Sequence, residues 1–154
     1  MRARFAAVHA LDLPPTTDSV PAARRFVRRE LGGVDVDVDT AALLVSEVVT
    51  NAVLHARTAV TLSVEASRTV AHIEVRDGSP VEPRVHAFSP TSATGRGLRL
   101  LDLLAKRWGV ESDPRTGGKI VWFDVGEESE AAWDDAAWDD AADEWRIEGM
   151  AGEH

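Results

Sequence analysis

A chain of 154 residues with 44% hydrophobic and 28% charged residues is typical of one soluble globular domain. Its lack of cysteine excludes disulfides, thiolate metal sites and cysteine nucleophiles. No run of 18 apolar residues occurs, so we expect no membrane-spanning helix. The first residues lack the apolar core of a signal peptide, and we therefore expect a cytoplasmic protein.

The net charge of −9 is concentrated at one end of the chain. Residues 126–154 contain eleven acidic residues and one basic residue, whereas 1–125 is almost neutral, and neither part has the basic face of a nucleic-acid-binding protein. The high negative charge of 126–154 favours disorder, while its three tryptophans favour a docking segment. We predict a domain over 1–125 followed by an acidic, tryptophan-rich tail over 126–154.

Hydrophobic periodicity and turn residues divide the domain into eight elements. Strands followed by helices and short hairpins predict an α+β two-layer sandwich, with a mixed, mostly antiparallel sheet and helices on one face. The predicted elements are a strand over 5–13, helices over 20–31 and 40–57, strands over 60–66 and 70–76, a helix over 98–107, and strands over 108–112 and 119–125.

Capping residues support the predicted helix boundaries. Ser19 is a candidate N-cap for the first helix, and Gly32-Gly33 is expected to end it. Asp37 or Asp39 is expected to cap the central helix.

The central helix carries a narrow polar stripe. Glu47 and Asn51 are four residues apart, which places both on one helical face, and Thr50 and His55 fall on the same side. Valines and alanines cover the other side. Periodicity alone favours a solvated polar face over a functional one, so the glycine-containing segments that follow are needed for the functional interpretation.

Two glycine-containing segments follow the stripe. A strand ends at Asp77-Gly78, a Pro- and Ser/Thr-rich loop covers 79–94, and Gly95-Arg96-Gly97 is expected to open a helix, where backbone N–H groups can approach a phosphate. No phosphate-binding P-loop motif is present. The amide oxygen of Asn51 suits Mg²⁺, and Glu47 can accept a proton from a group attacking a γ-phosphate.

These motifs resemble those of the GHKL ATPase superfamily (histidine kinase and Hsp90-like). Glu47-x-x-x-Asn51-Ala52-x-x-His55-Ala56 resembles its N box, Asp77-Gly78 its first glycine box, Thr94-Gly95-Arg96-Gly97-Leu98 its second, and Val121-Trp122-Phe123 its closing strand. The greatest likeness is to the small bacterial anti-sigma-factor serine/threonine kinases. The resemblance implies a Bergerat-type ATP-binding fold over about residues 5–125.

The resemblance also implies roles for individual residues. Asn51 would coordinate Mg²⁺, Glu47 would be the general base, and Asp77 would contact adenine beside Gly78. His55 and the segment Thr94, Gly95, Arg96, Gly97 and Leu98 would complete the ATP site, with 79–94 as a lid. Two positions depart from the family pattern, because Ser79-Pro80 replace the second glycine of the first box and Ile120 stands where a threonine is often found.

The function implied is transfer of the γ-phosphate of ATP to a serine or threonine of a partner. The partner would be an anti-sigma antagonist, with a sigma factor as a second binding protein, and a homodimer is compatible with the family. No direct contact with nucleic acid or membrane is expected. The alternative is a non-catalytic ATP-binding adaptor that sequesters a regulatory protein; loss of ATP binding with only the fold retained is the third possibility.

Overall fold

A computed structural model describes residues 8–81 and 93–127, and for 93–97 the backbone alone. Three parts of the sequence prediction lie outside these ranges: residues 5–7 of the first strand (5–13), residues 82–92 of the lid (79–94) and residues 128–154 of the tail (126–154). A π-helical turn over Ala52–Ala56 follows the second helix directly. The elements are β1 His9–Leu13, α1 Ser19–Glu30, α2 Val38–Asn51, β2 Val60–Ala66, β3 Val70–Asp77, α3 Ala93–Leu104, β4 Arg107–Ser112 and β5 Lys119–Gly126.

The five strands form one sheet in the order β1-β2-β3-β5-β4. Every neighbouring pair is antiparallel, so the predicted mixed sheet is antiparallel throughout the described strands. β5 is inserted between β3 and β4, and α3 connects these two strands across the sheet. The predicted α+β sandwich is confirmed.

All three helices cover one face of the sheet, here called the helix face, with α2 between α1 and α3. The core lies between the layers, because alternate residues of β2, β3 and β5 point toward the apolar sides of the helices. The largest fully buried side chains there include Phe123, Leu44, Leu62, Ile73 and Leu101. α2 with its π-turn is apolar and long enough to cross a bilayer, but its apolar side is buried in this core.

The opposite side of the sheet, here called the outer face, carries buried charged residues. The strand registers align Glu65, His72, Asp124 and Arg107 in one row across β2, β3, β5 and β4. His72 Nδ1 lies 2.7 Å from Asp124 Oδ1, and its Nε2 lies 2.9 Å from Glu74 Oε2. Arg107 Nη2 lies 3.1 Å from Asp124 Oδ2. Alternating charges therefore align across four strands, and the contacts above join three of them, β3, β5 and β4.

Contacts with Asp124 and Glu74 set the protonation state of His72. Burial disfavours the charged imidazolium, but hydrogen bonds to Asp124 and Glu74 outweigh that cost and raise the pKa of His72 to about 9. Burial alone would raise the pKa of Glu74, yet its contacts with His72 and Arg76 lower it. The row is thus a charged network at neutral pH.

Several boundaries differ from the sequence prediction. Ser19 is the first residue of α1 and its hydroxyl donates to the Pro14 carbonyl at 2.6 Å, so it does not cap the helix. α3 ends at Leu104, because Arg107 already belongs to β4, and Leu104 is exposed. The Asp37 cap is confirmed, since its side chain accepts from Thr40 N–H at 3.2 Å, a hydrogen bond that lowers the pKa of Asp37.

We expect stability to fall between pH 6.5 and pH 9. The pKa of His72 is raised in the folded protein, so the stabilisation is complete below pH 6.5 and is lost as the pH rises through about 9. The free energy of unfolding should drop on the order of 1–3 kcal/mol, measurable as a lower Tm in thermal unfolding. His72→Gln should flatten this slope, whereas His55→Gln, at an exposed position, should keep it. An unchanged slope in His72→Gln would contradict the assignment.

Candidate nucleotide site

α2 holds the predicted polar stripe at the edge of the core. Its apolar side is buried through Leu44, Val45, Val48 and Val49. Because 3.6 residues complete a turn, Glu47 and Asn51 fall together on the opposite side, where both are half-buried. The helix is thus anchored on one side and presents a carboxylate and an amide on the other.

Asn51 carries a buried polar atom for which the described residues provide no partner. Its Oδ1 is buried and accepts no hydrogen bond from the part of the chain that the structure describes. Leaving a buried acceptor unsatisfied costs about 1–3 kcal/mol, so such atoms are uncommon in folded proteins. An amide oxygen is also a preferred ligand of Mg²⁺. The stripe atom that lacks a hydrogen bond within the described part of the chain is therefore the atom that the sequence analysis proposed as the metal ligand.

The α-helix changes to a π-turn immediately after Asn51. The π-turn covers Ala52–Ala56 and ends at Arg57, whose φ of 58° is left-handed and uncommon for a non-glycine residue. Such turns are frequent at functional sites. His55 lies in this turn and is exposed. The Thr58 hydroxyl then accepts a hydrogen bond from Gly78 N–H at 2.7 Å, which joins the end of the α2 segment to the end of β3.

Asp77 ends β3 as a buried carboxylate paired with a lysine. Lys119 Nζ lies 3.0 Å from Asp77 Oδ2 and 3.1 Å from Oδ1, and the two side chains are 11% and 3% exposed. Asp77 Oδ1 also accepts from Ser79 N–H at 2.9 Å. Asp77, the residue predicted to contact adenine, is therefore fixed in position, and the ammonium group of Lys119 lies beside it.

The turn between β4 and β5 brings Lys119 to this position. Asp113 organises the turn, because its backbone N–H donates to Gly118 O at 3.0 Å and its side chain accepts from Arg115 N–H at 3.1 Å. Gly118 then passes so close to β3 that a Cβ there would overlap the Asp77 carbonyl oxygen and lie 2.7 Å from Gly78 Cα. Only glycine fits this approach.

The second glycine segment is positioned differently from the prediction. The helix begins at Ala93, so Thr94, Gly95, Arg96 and Gly97 lie within its first turns and do not precede it. The first four N–H groups of a helix have no intrahelical acceptor, which still provides donors for phosphate in this segment. Leu98 is buried in the core, so its side chain packs with α2 and does not line a polar site.

Lys119 and Thr58 were not identified from the sequence. Ile120, which was assigned to a threonine position of the family pattern, does not lie at the candidate site. Ile120 pairs with Arg76 in the β3–β5 register, on the face opposite Val121 and the core, whereas Lys119 pairs directly with Asp77. Period-two alternation, counted from Val121, indicates that Lys119 shares the helix face. Alternation along the sequence therefore indicated the face on which Lys119 lies, but it could not indicate that β3 is the neighbouring strand.

The chain belongs to the histidine kinase-like ATPase domain family, whose model matches residues 13–125. The matched range contains the Glu47–Asn51 stripe and both glycine segments. Comparison with curated protein sequences finds no match.

Among solved structures, the chain is similar to one that contains the RsbU and RsbW domains of Rv1364c from Mycobacterium tuberculosis. The TM-score is 0.58 at 15% sequence identity, and the match covers 80% of this chain. It covers 34% of that chain, so this protein spans about a third of its length. At this identity the likeness establishes the fold.

We expect Gly118→Ala to destabilise the protein by about 1–3 kcal/mol, because the added methyl group would displace β5 from Asp77 and Gly78. The matched control is Gly32→Ala, where the new Cβ would lie 3.6 Å from the Arg29 carbonyl oxygen, an ordinary contact. Urea unfolding of both variants measures the difference. Equal midpoints would show that the approach of Gly118 to Asp77 does not constrain the fold.

Proposed function

We propose that the protein binds Mg-ATP and transfers its γ-phosphate to a serine or threonine of a partner protein, as an anti-sigma-factor-type kinase. The observation that carries the proposal is the buried Oδ1 of Asn51, which has no hydrogen-bond partner among the described residues and lies on the same helical face as Glu47. Membership of the histidine kinase-like ATPase family supports ATP as the ligand.

The residues of the site fit the proposed ligands. Asn51 would hold Mg²⁺ through its amide oxygen, and the metal would neutralise charge on the phosphates. The N–H groups that open α3 would bind phosphate oxygens. Asp77 would accept a hydrogen bond from the adenine amino group, with Gly78 beside the ring, and the half-buried Glu47 would act on the reacting end of the nucleotide.

The proposed chemistry is one in-line displacement at phosphorus. The partner's hydroxyl oxygen forms a bond to the γ-phosphorus, the bond from that phosphorus to the β–γ bridging oxygen breaks, and ADP leaves. Glu47 takes the hydroxyl proton. The resemblance of the motifs to anti-sigma-factor kinases supports an antagonist protein as phosphate acceptor, with a sigma factor as a second partner and a homodimer as the assembly.

Removal of the metal ligand should weaken nucleotide binding. We expect Asn51→Ala to bind ATP roughly tenfold or more weakly in the presence of Mg²⁺, because a charge-assisted contact is lost. Calorimetric titration measures the affinity. Asp39→Asn, an exposed change on the first turn of the same helix, is the control and should leave it unchanged. Wild-type affinity in Asn51→Ala would remove Asn51 from the site.

Removal of the proposed base should separate binding from chemistry. We expect Glu47→Ala to retain ATP binding and to reduce phosphate transfer by about 10²–10⁴-fold, the usual contribution of a general base. Transfer from γ-labelled ATP to co-expressed candidate antagonists provides the assay. An adaptor predicts a different pattern, in which the wild type binds ATP and the partner without transferring phosphate.

A further inference from the structure

We infer that Lys119 is a nucleobase-recognition residue that donates a hydrogen bond to the ring acceptor N1 of adenine, beside Asp77. This inference rests on the proposed ATP site and adds a specificity determinant to it. The resemblance to the GHKL superfamily implies the contact of Asp77 with adenine, but the role of Lys119 follows from the β3–β5 register and the pairing distances.

The Lys119–Asp77 pair is built into the fold. Lysine is rarely buried, yet the Lys119 side chain is only 11% exposed, and both ends of the pair are fixed by neighbouring strands. The close approach of Gly118 to Asp77 leaves little freedom for the strand that carries the lysine. The ammonium is therefore positioned by the same contact that orders the end of β3.

The pair offers complementary groups side by side. A carboxylate can only accept hydrogen bonds, whereas an ammonium has three donors and no acceptor. Within the described ranges, contacts to the two Asp77 oxygens at 3.0 and 3.1 Å account for two donor directions of Lys119, which leaves the third for a ligand. A donor and an acceptor about 3 Å apart match the hydrogen-bonding edge of a purine.

The order of the two groups distinguishes adenine from guanine. Adenine presents an exocyclic amino donor next to the ring acceptor N1, while guanine presents an exocyclic carbonyl next to a ring N–H donor. The resemblance places Asp77 at the exocyclic amino group, so Lys119 beside it faces the ring position, and adenine satisfies both groups in this order. Guanine would oppose carbonyl to carboxylate and N–H to ammonium. Buried polar groups left unpaired in this way discriminate strongly between ligands.

Two other roles for Lys119 make different predictions. If it only neutralises buried Asp77, Lys119→Met should weaken every purine nucleotide equally. If it blocks the base site by occupying Asp77, Lys119→Met should strengthen ATP binding. Of the three roles, only donation to N1 makes the effect of the substitution depend on whether the nucleotide has that ring nitrogen.

The experiment is calorimetric titration of ATP and 1-deaza-ATP, in which C–H replaces N1, into the wild type and Lys119→Met with Mg²⁺. The wild type should bind ATP about tenfold or more tightly than 1-deaza-ATP, as for loss of a charge-assisted hydrogen bond. In Lys119→Met this ratio should fall close to one. Lys106→Met, an exposed lysine between α3 and β4, is the matched control and should keep the wild-type ratio.

The outcomes distinguish failure of the proposed ATP site from failure of the proposed role of Lys119. No ATP binding by the wild type would overturn the proposed function together with this inference. ATP binding with a wild-type ratio near one would overturn the inference alone, and this arm needs no variant to fold. A ratio preserved in Lys119→Met, or tighter ATP binding by that variant, would also overturn it. GTP should bind the wild type at least tenfold more weakly than ATP.

Discussion

The burial of one side of α2 is the constraint on which the rest of the structure depends. Leu44, Val45, Val48 and Val49 lie in the core between α1, α3 and the sheet, and each fully buried side chain of this kind contributes about 1.5–3 kcal/mol. Because rotation of α2 would expose them, Glu47 and Asn51 have one allowed direction. The free energy gained by burying the apolar side of α2 offsets the cost of burying Asn51 Oδ1, which has no hydrogen-bond partner in the described part of the chain.

Much of the fold follows from local signals in the sequence. The β2–β3 hairpin was predicted to within one residue, since both strands alternate and a short turn joins them. Asp37 or Asp39 was the predicted cap of α2, and Asp37 fills that role by accepting from a backbone N–H three residues later. The shared face of Glu47 and Asn51 follows from helical geometry. Each of these features depends on residues close together in the chain.

The features that were missed depend on residues far apart in the chain. Lys119 and Asp77 are 42 positions apart, and their pairing follows from the insertion of β5 between β3 and β4. Local alternation cannot provide that strand order. The π-turn after Asn51 has no signal in side-chain propensity. The burial of the outer face, in contrast, did have a local signal in the sequence. Residues 120–123 form a continuous apolar run, which is typical of a strand covered on both faces.

The hydrogen bond between Thr58 and Gly78 also restricts chain length. It closes a junction between the π-turn, the start of β2 and the end of β3, and Gly118 occupies the remaining space from the other side. A residue inserted between Arg57 and Val60 would move Thr58 away from Gly78 and disturb the registers on which the Asp77–Lys119 pair depends. Insertions and deletions are therefore expected to be excluded at this junction.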